Sequence, residues 1–198
     1  MDLELISRPL DWPAAGTTPL QELCHDWYGA PLAPPARFQL VEDPSRLWLI
    51  AGRRKPANAH FMGDCGDFQA ELWKFDVAEL FIASPDFKNY LEFNLSPRGA
   101  WWAARFGEPR QAADLGPLPE VICHGSPEGA ESWTAALGIP LDWLRQRIGW
   151  SPDSPLNVTF ILESPDQRFL TASNLGGGEP DFHRPGSFCR PERHPSEG

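Results

Sequence analysis

The segment most informative about the architecture reads Trp73-Lys74-Phe75-Asp76-Val77-Ala78-Glu79-Leu80-Phe81-Ile82. Successive side chains of a β-strand point to opposite faces of a sheet. In the second half of the segment, Glu79 and Phe81 would therefore share one face, while Leu80 and Ile82 would share the other. This pattern predicts a strand with a carboxylate on one face and only aliphatic side chains on the other.

Two further strands are predicted immediately afterwards, over residues 89–95 and 100–106. The turn sequence Ser84-Pro85-Asp86 precedes the first of them, and Ser96-Pro97-Arg98-Gly99 separates the two. Connections this short join antiparallel strands that are neighbours in a sheet. The three strands are therefore predicted to form an antiparallel meander.

The rest of the chain carries similar strand patterns and one helical pattern. Residues 141, 144 and 148 are apolar at helical spacing after Ile139-Pro140, which predicts a short helix. The 22 prolines and 17 glycines disfavour long helices and favour turns. The sequence thus predicts an all-β fold, an antiparallel β-sandwich of about ten strands with one short helix. The other strands are predicted over residues 37–41, 46–53, 120–124, 132–137, 157–163 and 168–171.

A single domain is expected, because 198 residues suit one β-sandwich. Residues 36–190 are predicted to form it. Residues 1–35 are rich in Pro and Gly and are expected to be an irregular N-terminal wrap with one helical turn near residues 18–23. The chain is expected to return to the sheet around Phe188, and residues 191–198 are expected to be a disordered tail.

The formal net charge of −10 restricts the expected partners. Nucleic acids and anionic membranes both attract basic surfaces, so neither is expected to bind this chain. The acidity favours solubility, and it also suits a bound cation. No apolar run approaches the ~20 residues that span a bilayer, and no basic and apolar leader is visible. A cytoplasmic protein with four free thiols is therefore expected.

Four motifs occur in an order that resembles a known family. A W-x-x-D-x-x-E-x-F pattern begins at Trp73, and the turn Pro97-Arg98-Gly99 follows the next strand. Ile139-Pro140-Leu141 opens the predicted helix, and an aromatic followed by P-x-x-F spans residues 182–188. From about residue 38 to residue 188, the chain resembles the family 9 carbohydrate-binding modules and their relatives in the DOMON-like superfamily.

The resemblance implies a β-sandwich with a sugar site near one edge. In the family two aromatic rings enclose the sugar, and the matching residues here are Trp73 and Phe182. Glu79 matches an acidic residue that hydrogen-bonds sugar hydroxyls, and Thr159 is the nearest candidate for a polar residue in the strand near 157–163. The sequence departs from the family at Phe182, where the sugar-binding modules have Trp.

The residues themselves also favour a saccharide site. A Trp ring such as Trp73 covers the apolar face of a sugar, while carboxylates and amides bind its hydroxyls. Glu79, Glu92 and Asn94 are predicted to form a polar row on one sheet face. His183, beside Phe182, could hydrogen-bond a ligand or ligate a metal. The alternative is a solvated outer face on which Trp73 caps the core.

A non-catalytic domain that binds a small polar ligand is the main prediction, and two other functions use the same residues. Glu79 and Glu92 could be a glycosidase pair, which requires carboxylates ~5 Å apart for retention and ~6.5–9.5 Å for inversion. Directly paired residues would meet the shorter distance. An aromatic surface could instead bind a protein partner.

No cofactor is expected, although three metal sites are considered. Acidic loop residues Asp64, Asp67 and Asp86 could hold calcium, as in some family members, but no EF-hand-like pattern is present. Relatives in the wider superfamily bind haem through Met and His, which would point to Met62 and His183. Zinc at the Cys-His pairs 24–25 and 123–124 lacks the usual paired spacing.

Overall fold

Two β-sheets face one another in the computed structural model, which describes residues 2–10, 20–61 and 63–195. These residues form thirteen strands and one α-helix. The strands are β1 (Glu4–Ser7), β2 (Gln21–His25), β3 (Pro31–Glu42), β4 (Arg46–Arg53), β5 (Val77–Ala83), β6 (Tyr90–Leu95), β7 (Trp101–Glu108), β8 (Gln111–Ala113), β9 (Ile122–His124), β10 (Trp133–Pro140), β11 (Leu156–Leu162), β12 (Arg168–Thr171) and β13 (Glu192–Pro195). The predicted all-β sandwich is confirmed.

The first sheet has the strand order β13-β1-β3-β4-β10-β9, and β2 pairs with β3 outside that path. Its pairs are antiparallel, except that β1 runs parallel to both β3 and β13. The second sheet has the order β12-β11-β5-β6-β7-β8 and is antiparallel throughout. The predicted meander is β5-β6-β7 at the centre of this second sheet.

The main hydrophobic core lies between the sheets and follows from the alternation of side chains. Leu80 and Ile82 of β5 and Phe93 of β6 are fully buried there, with Leu49 of β4 and Leu137 of β10 from the first sheet. Burying each such side chain contributes roughly 1.5–3 kcal/mol. Glu79 and Phe81 consequently point away from this core, to the outer face of the second sheet.

The predicted helix is α1 (Leu141–Ile148), which begins directly after Pro140. Its buried residues Leu141, Leu144 and Ile148 pack against the core at the predicted spacing. Gly149 ends the helix in the left-handed region at φ +65°, and its N–H donates to the carbonyl of Arg145. No helix within the described ranges is long and apolar enough to cross a membrane.

The two ends of the chain differ from the prediction. Residues 1–35 were expected to be irregular, but they contain β1, β2 and the start of β3. A helical turn was expected at residues 18–23. Residues 18 and 19 lie outside the described residues, and residues 21–23 belong to β2. The expected tail contains β13, whose Arg193 forms a bidentate ion pair with Glu42, and residues 196–198 lie outside the described residues. The Pro and Gly content of the chain ends suggested irregular structure, but edge strands of a sheet accept Pro. Pairing with neighbouring strands also satisfies the backbone hydrogen-bonding groups of these short strands.

A second apolar cluster covers the outer face of the second sheet. Phe81 and Tyr90 from the sheet pack there against Leu175, Phe182 and Phe188 from the segment that follows β12. This segment returns to the sheet through a bridge between Cys189 and Leu156, as the sequence predicted near residue 188. The outer face is thus partly enclosed, which creates space for a cavity above the strands.

Candidate functional site

A cavity of about 420 Å³ lies on the outer face of the second sheet. Five of the seven residues predicted from the sequence line it, namely Trp73, Glu79, Glu92, Phe182 and His183. The remaining lining residues are Phe81, Trp102, Phe106, Arg110, Ile161, Phe169 and Pro180. The walls are therefore mainly aromatic, with two carboxylates, one imidazole and one guanidinium among them.

Strand register determines how the polar groups are arranged. Glu79 of β5 lies directly opposite Asn94 of β6 on one side and Thr159 of β11 on the other. Glu92 lies opposite Phe81, so Glu79 and Glu92 are diagonal neighbours. The register offsets the two glutamates by two residues along the strands, so they do not pair directly. The direct pairing considered for a retaining glycosidase is therefore wrong.

Both glutamates are buried, and burial is the main reason that their pKa values are raised. Glu79 is 3% exposed, and the charge of Glu92 raises its pKa further, while the hydrogen bond from the Thr159 hydroxyl lowers it. The pKa of Glu92, which is 7% exposed, is raised by burial and lowered by the Asn94 amide and the Arg110 charge. Two interacting carboxyls of this kind share their protons as a pair.

Asn94 is 1% exposed and lies on the same face of β6 as Glu92. Its amide is close enough to favour the charged form of Glu92. Neither its Oδ1 nor its Nδ2, however, has a hydrogen bond of standard geometry among the described residues. Asn94 does not line the cavity, so it affects the site through Glu92.

His183 is held in place by Tyr90, whose hydroxyl oxygen lies 2.8 Å from His183 Nδ1. The same hydroxyl accepts a hydrogen bond of 3.1 Å from the backbone N–H of Arg110, and its second lone pair and its hydrogen both allow a bond with Nδ1. Burial lowers the pKa of His183 to about 4, so the ring is neutral near pH 7. The other ring nitrogen, Nε2, lies 3.8 Å from a Glu92 oxygen.

The two rings expected to enclose a ligand differ in their exposure. Trp73 lies in a 3-10 turn before β5 and is 48% exposed, so it does not cap the core. Lys74 Nζ lies over its ring, 5.4 Å from the centroid. Phe182 is buried, with its ring centroid 6.3 Å from that of Phe81 and 6.2 Å from that of Phe169. The cavity thus has a solvent-accessible ring at its opening and a buried ring deeper inside.

Several lining residues were not predicted. Arg110 lies in the turn between β7 and β8 with φ +61°, and its guanidinium pairs with Asp181 at 2.9 Å. Phe169 and Trp102 come from β12 and β7. Alternation does place the two aromatics on the outer face of their strands, but the strand patterns alone do not indicate that the later segment folds over them.

The residues considered for metal binding are engaged elsewhere or lie apart. No group of three or more His, Cys, Asp or Glu residues in the described part of the chain could hold a metal ion. Asp64 pairs with Arg98, and Asp86 pairs with Lys88 at 3.0 Å. The haem alternative depends on Met62, which lies outside the described residues. The expectation of no cofactor, with calcium as the main alternative, stays a prediction.

No known family model and no curated protein matches the sequence. Solved structures do match its fold. A candidate carbohydrate-binding protein from Bacteroides uniformis superposes with a TM-score of 0.70 at 16% identity, covering 98% of each chain. A family 9 carbohydrate-binding module from Caldicellulosiruptor kristjanssonii in complex with cellotriose gives a TM-score of 0.62 at 11% identity, covering 98% of this chain and 94% of that one. A module of the same family and organism in complex with glucose gives a TM-score of 0.59 at 11% identity, covering 98% of this chain and 97% of that one. The chain therefore has the β-sandwich fold of the family 9 carbohydrate-binding modules.

Proposed function

We propose that this protein is a non-catalytic domain that binds a saccharide in the cavity on the outer face of the second sheet. The observation that carries the proposal is the joining of Trp73, Phe182 and two buried glutamates in one cavity, although Trp73 and Phe182 are more than a hundred residues apart in sequence. A volume of about 420 Å³ is within the range of small-ligand sites.

The chemistry of the walls suits a hydroxylated ring. Aromatic rings cover the apolar C–H faces of a sugar, and Trp73 and Phe182 can do so here. The hydroxyls at the sugar rim need both acceptors and donors. Glu79 and Glu92 supply acceptors, while the Arg110 guanidinium supplies donors and neutral His183 supplies a ring nitrogen.

The structural relatives support this assignment. Two of them are family 9 modules whose complexes hold cellotriose and glucose. The non-catalytic assignment rests on their being carbohydrate-binding modules. Weak binding is expected, because ordering and polar desolvation offset much of the energy gained by stacking.

Calorimetric titration with glucose, cellobiose and xylobiose, together with a glycan array, tests the proposal. Trp73→Ala should abolish the binding heat without lowering the melting temperature appreciably, since half of the Trp73 side chain is exposed. Phe61→Ala is the matched control, because Phe61 is also exposed but lies outside the cavity. If no saccharide binds and a protein partner is lost with Trp73→Ala instead, the aromatic surface is a protein-interaction site.

A further inference from the structure

The glutamate pair, Glu79 and Glu92, is buried without a cationic partner. All 17 Lys and Arg residues lie in the described part of the chain, and none forms an ion pair with either carboxylate there. The hydroxyl of Thr159 is the side-chain donor to Glu79, and His183, which is neutral, lies near Glu92. Burying carboxylates without a matching charge is costly unless they hold a proton or meet a cation.

Arg110 lines the same cavity, but its charge is matched by another carboxylate. Its guanidinium lies 2.9 Å from Asp181, which also lies 3.6 Å from Arg184. The Arg110 side chain is 63% exposed, so water screens much of its effect on the pair. A second cation near the opening, Lys74, pairs with Glu71 at 2.6 Å.

The surroundings of the glutamate pair point to a charged ligand. Asn94, which is buried beside the pair and does not line the cavity, favours the charged form of Glu92. The aromatic walls, which include Trp73 and Trp102, present ring faces that attract cations. Lys74 already places its ammonium over the Trp73 ring in this way.

We infer that the saccharide bound in this cavity carries a positively charged amino group, and that this ammonium is held between Glu79 and Glu92. The ligand class is an amino sugar with a free amine. The inference rests on the proposed function, since the same cavity must accept the sugar ring. The His183 ring then hydrogen-bonds a hydroxyl, and the aromatic rings cover the apolar face.

The raised pKa values of the glutamate pair support this arrangement. Near neutral pH the empty cavity relieves its charge by holding a proton on the pair. A ligand ammonium neutralises the glutamate pair in place of this proton, so binding of the ligand releases the proton to solvent. The acetylated amine of N-acetylglucosamine carries no charge and cannot do this.

Titration calorimetry of the full chain at pH 6.5 with glucosamine, glucose and N-acetylglucosamine tests the inference. Glucosamine should bind about tenfold or more tightly than either uncharged sugar, the ratio expected when one charge-assisted hydrogen bond is added. Repeating the titration in buffers of different ionisation enthalpy should reveal proton release with glucosamine only. Between pH 6.5 and 5 the glucosamine advantage should shrink as the glutamate pair gains protons, while His183 stays neutral.

Glu92→Gln should reduce the glucosamine-to-glucose ratio to about one, whereas the control Glu120→Gln, at an exposed acid before β9, should leave it unchanged. Melting temperatures establish that both variants are folded. Equal or weaker binding of glucosamine relative to glucose would overturn the inference and leave the proposed function intact. If none of the three sugars and no glycan on the array binds, both the inference and the proposed function are wrong.

Discussion

The Thr159 hydroxyl donates a hydrogen bond of 2.7 Å to a Glu79 carboxylate oxygen across the β5–β11 strand pair, and both side chains are buried. This bond fixes the orientation of the carboxylate on the outer face of the second sheet. It also connects two residues that were both predicted from the sequence to bind the ligand. Replacing either side chain should therefore change both stability and binding.

Thr159→Val keeps the shape of the side chain but removes the donor. The free energy of unfolding should fall by about 1–3 kcal/mol, because a buried carboxylate loses its hydrogen bond. Denaturant unfolding measures the change. Thr134→Val is the control, since Thr134 is exposed in β10 and its loss should have little effect. An equal fall in the free energy of unfolding in both variants would show that the hydrogen bond to Glu79 does not stabilise the fold.

Glu79→Gln should make stability less dependent on pH. The folded pKa of Glu79 is raised above its ordinary value of 4.5 by burial. Its contribution to stability is thus fully present below about pH 4.5 and is lost as the pH rises through the raised value. The variant should melt at a higher temperature than the wild type above pH 8 and show no such gain near pH 4.5. A difference in melting temperature between variant and wild type that stays constant from pH 4.5 to above pH 8 would contradict the raised pKa of Glu79.

His183 should remain neutral through physiological pH. Burial lowers its pKa to about 4, and its Nδ1 lies 2.8 Å from the Tyr90 hydroxyl oxygen. Imidazole ¹⁵N chemical shifts, assigned with His183→Asn, should show a neutral ring at pH 7 and no titration above pH 5. A midpoint near 6.5 in the wild type would show that the ring is hydrated and not part of a closed cavity wall.

The cysteines should differ in reactivity. All four are free in the structure, so a thiol titration of unfolded protein should count four. In the folded protein Cys24 is exposed, whereas burial raises the pKa of Cys123 to about 12. A thiol reagent at pH 8 should therefore modify Cys24 long before Cys123, as peptide mass mapping would show. Modification of both at similar rates would indicate that β9 opens readily.

Much of the second sheet could be predicted from local pattern. Alternation in the segment from Trp73 to Ile82 placed Glu79 on the outer face, and short turns identified β5, β6 and β7 as neighbours. The register of these strands could not be predicted in the same way, because both faces are apolar in part. The two glutamates are consequently diagonal and not directly paired.

The long-range parts of the cavity were harder to predict. Phe182 came only from the family resemblance, and His183 from its position beside Phe182, because a loop over the outer face has no periodic signature. Arg110 was missed since it occupies a turn. The parallel pairing of β1 with β3 and β13 joins both ends of the chain, and only tertiary contacts reveal it. Local patterns thus predict strands and faces, whereas closure of the site depends on the whole fold.

A crystal structure of the protein soaked with glucosamine would locate the ligand in a single measurement. We predict a sugar ring between Trp73 and Phe182, with its amino group within hydrogen-bonding distance of Glu79 and Glu92. A ring in the same cavity with its amino group directed toward solvent would contradict the charge recognition alone. A sugar bound elsewhere, or an empty cavity at a concentration that saturates binding in solution, would contradict the site itself.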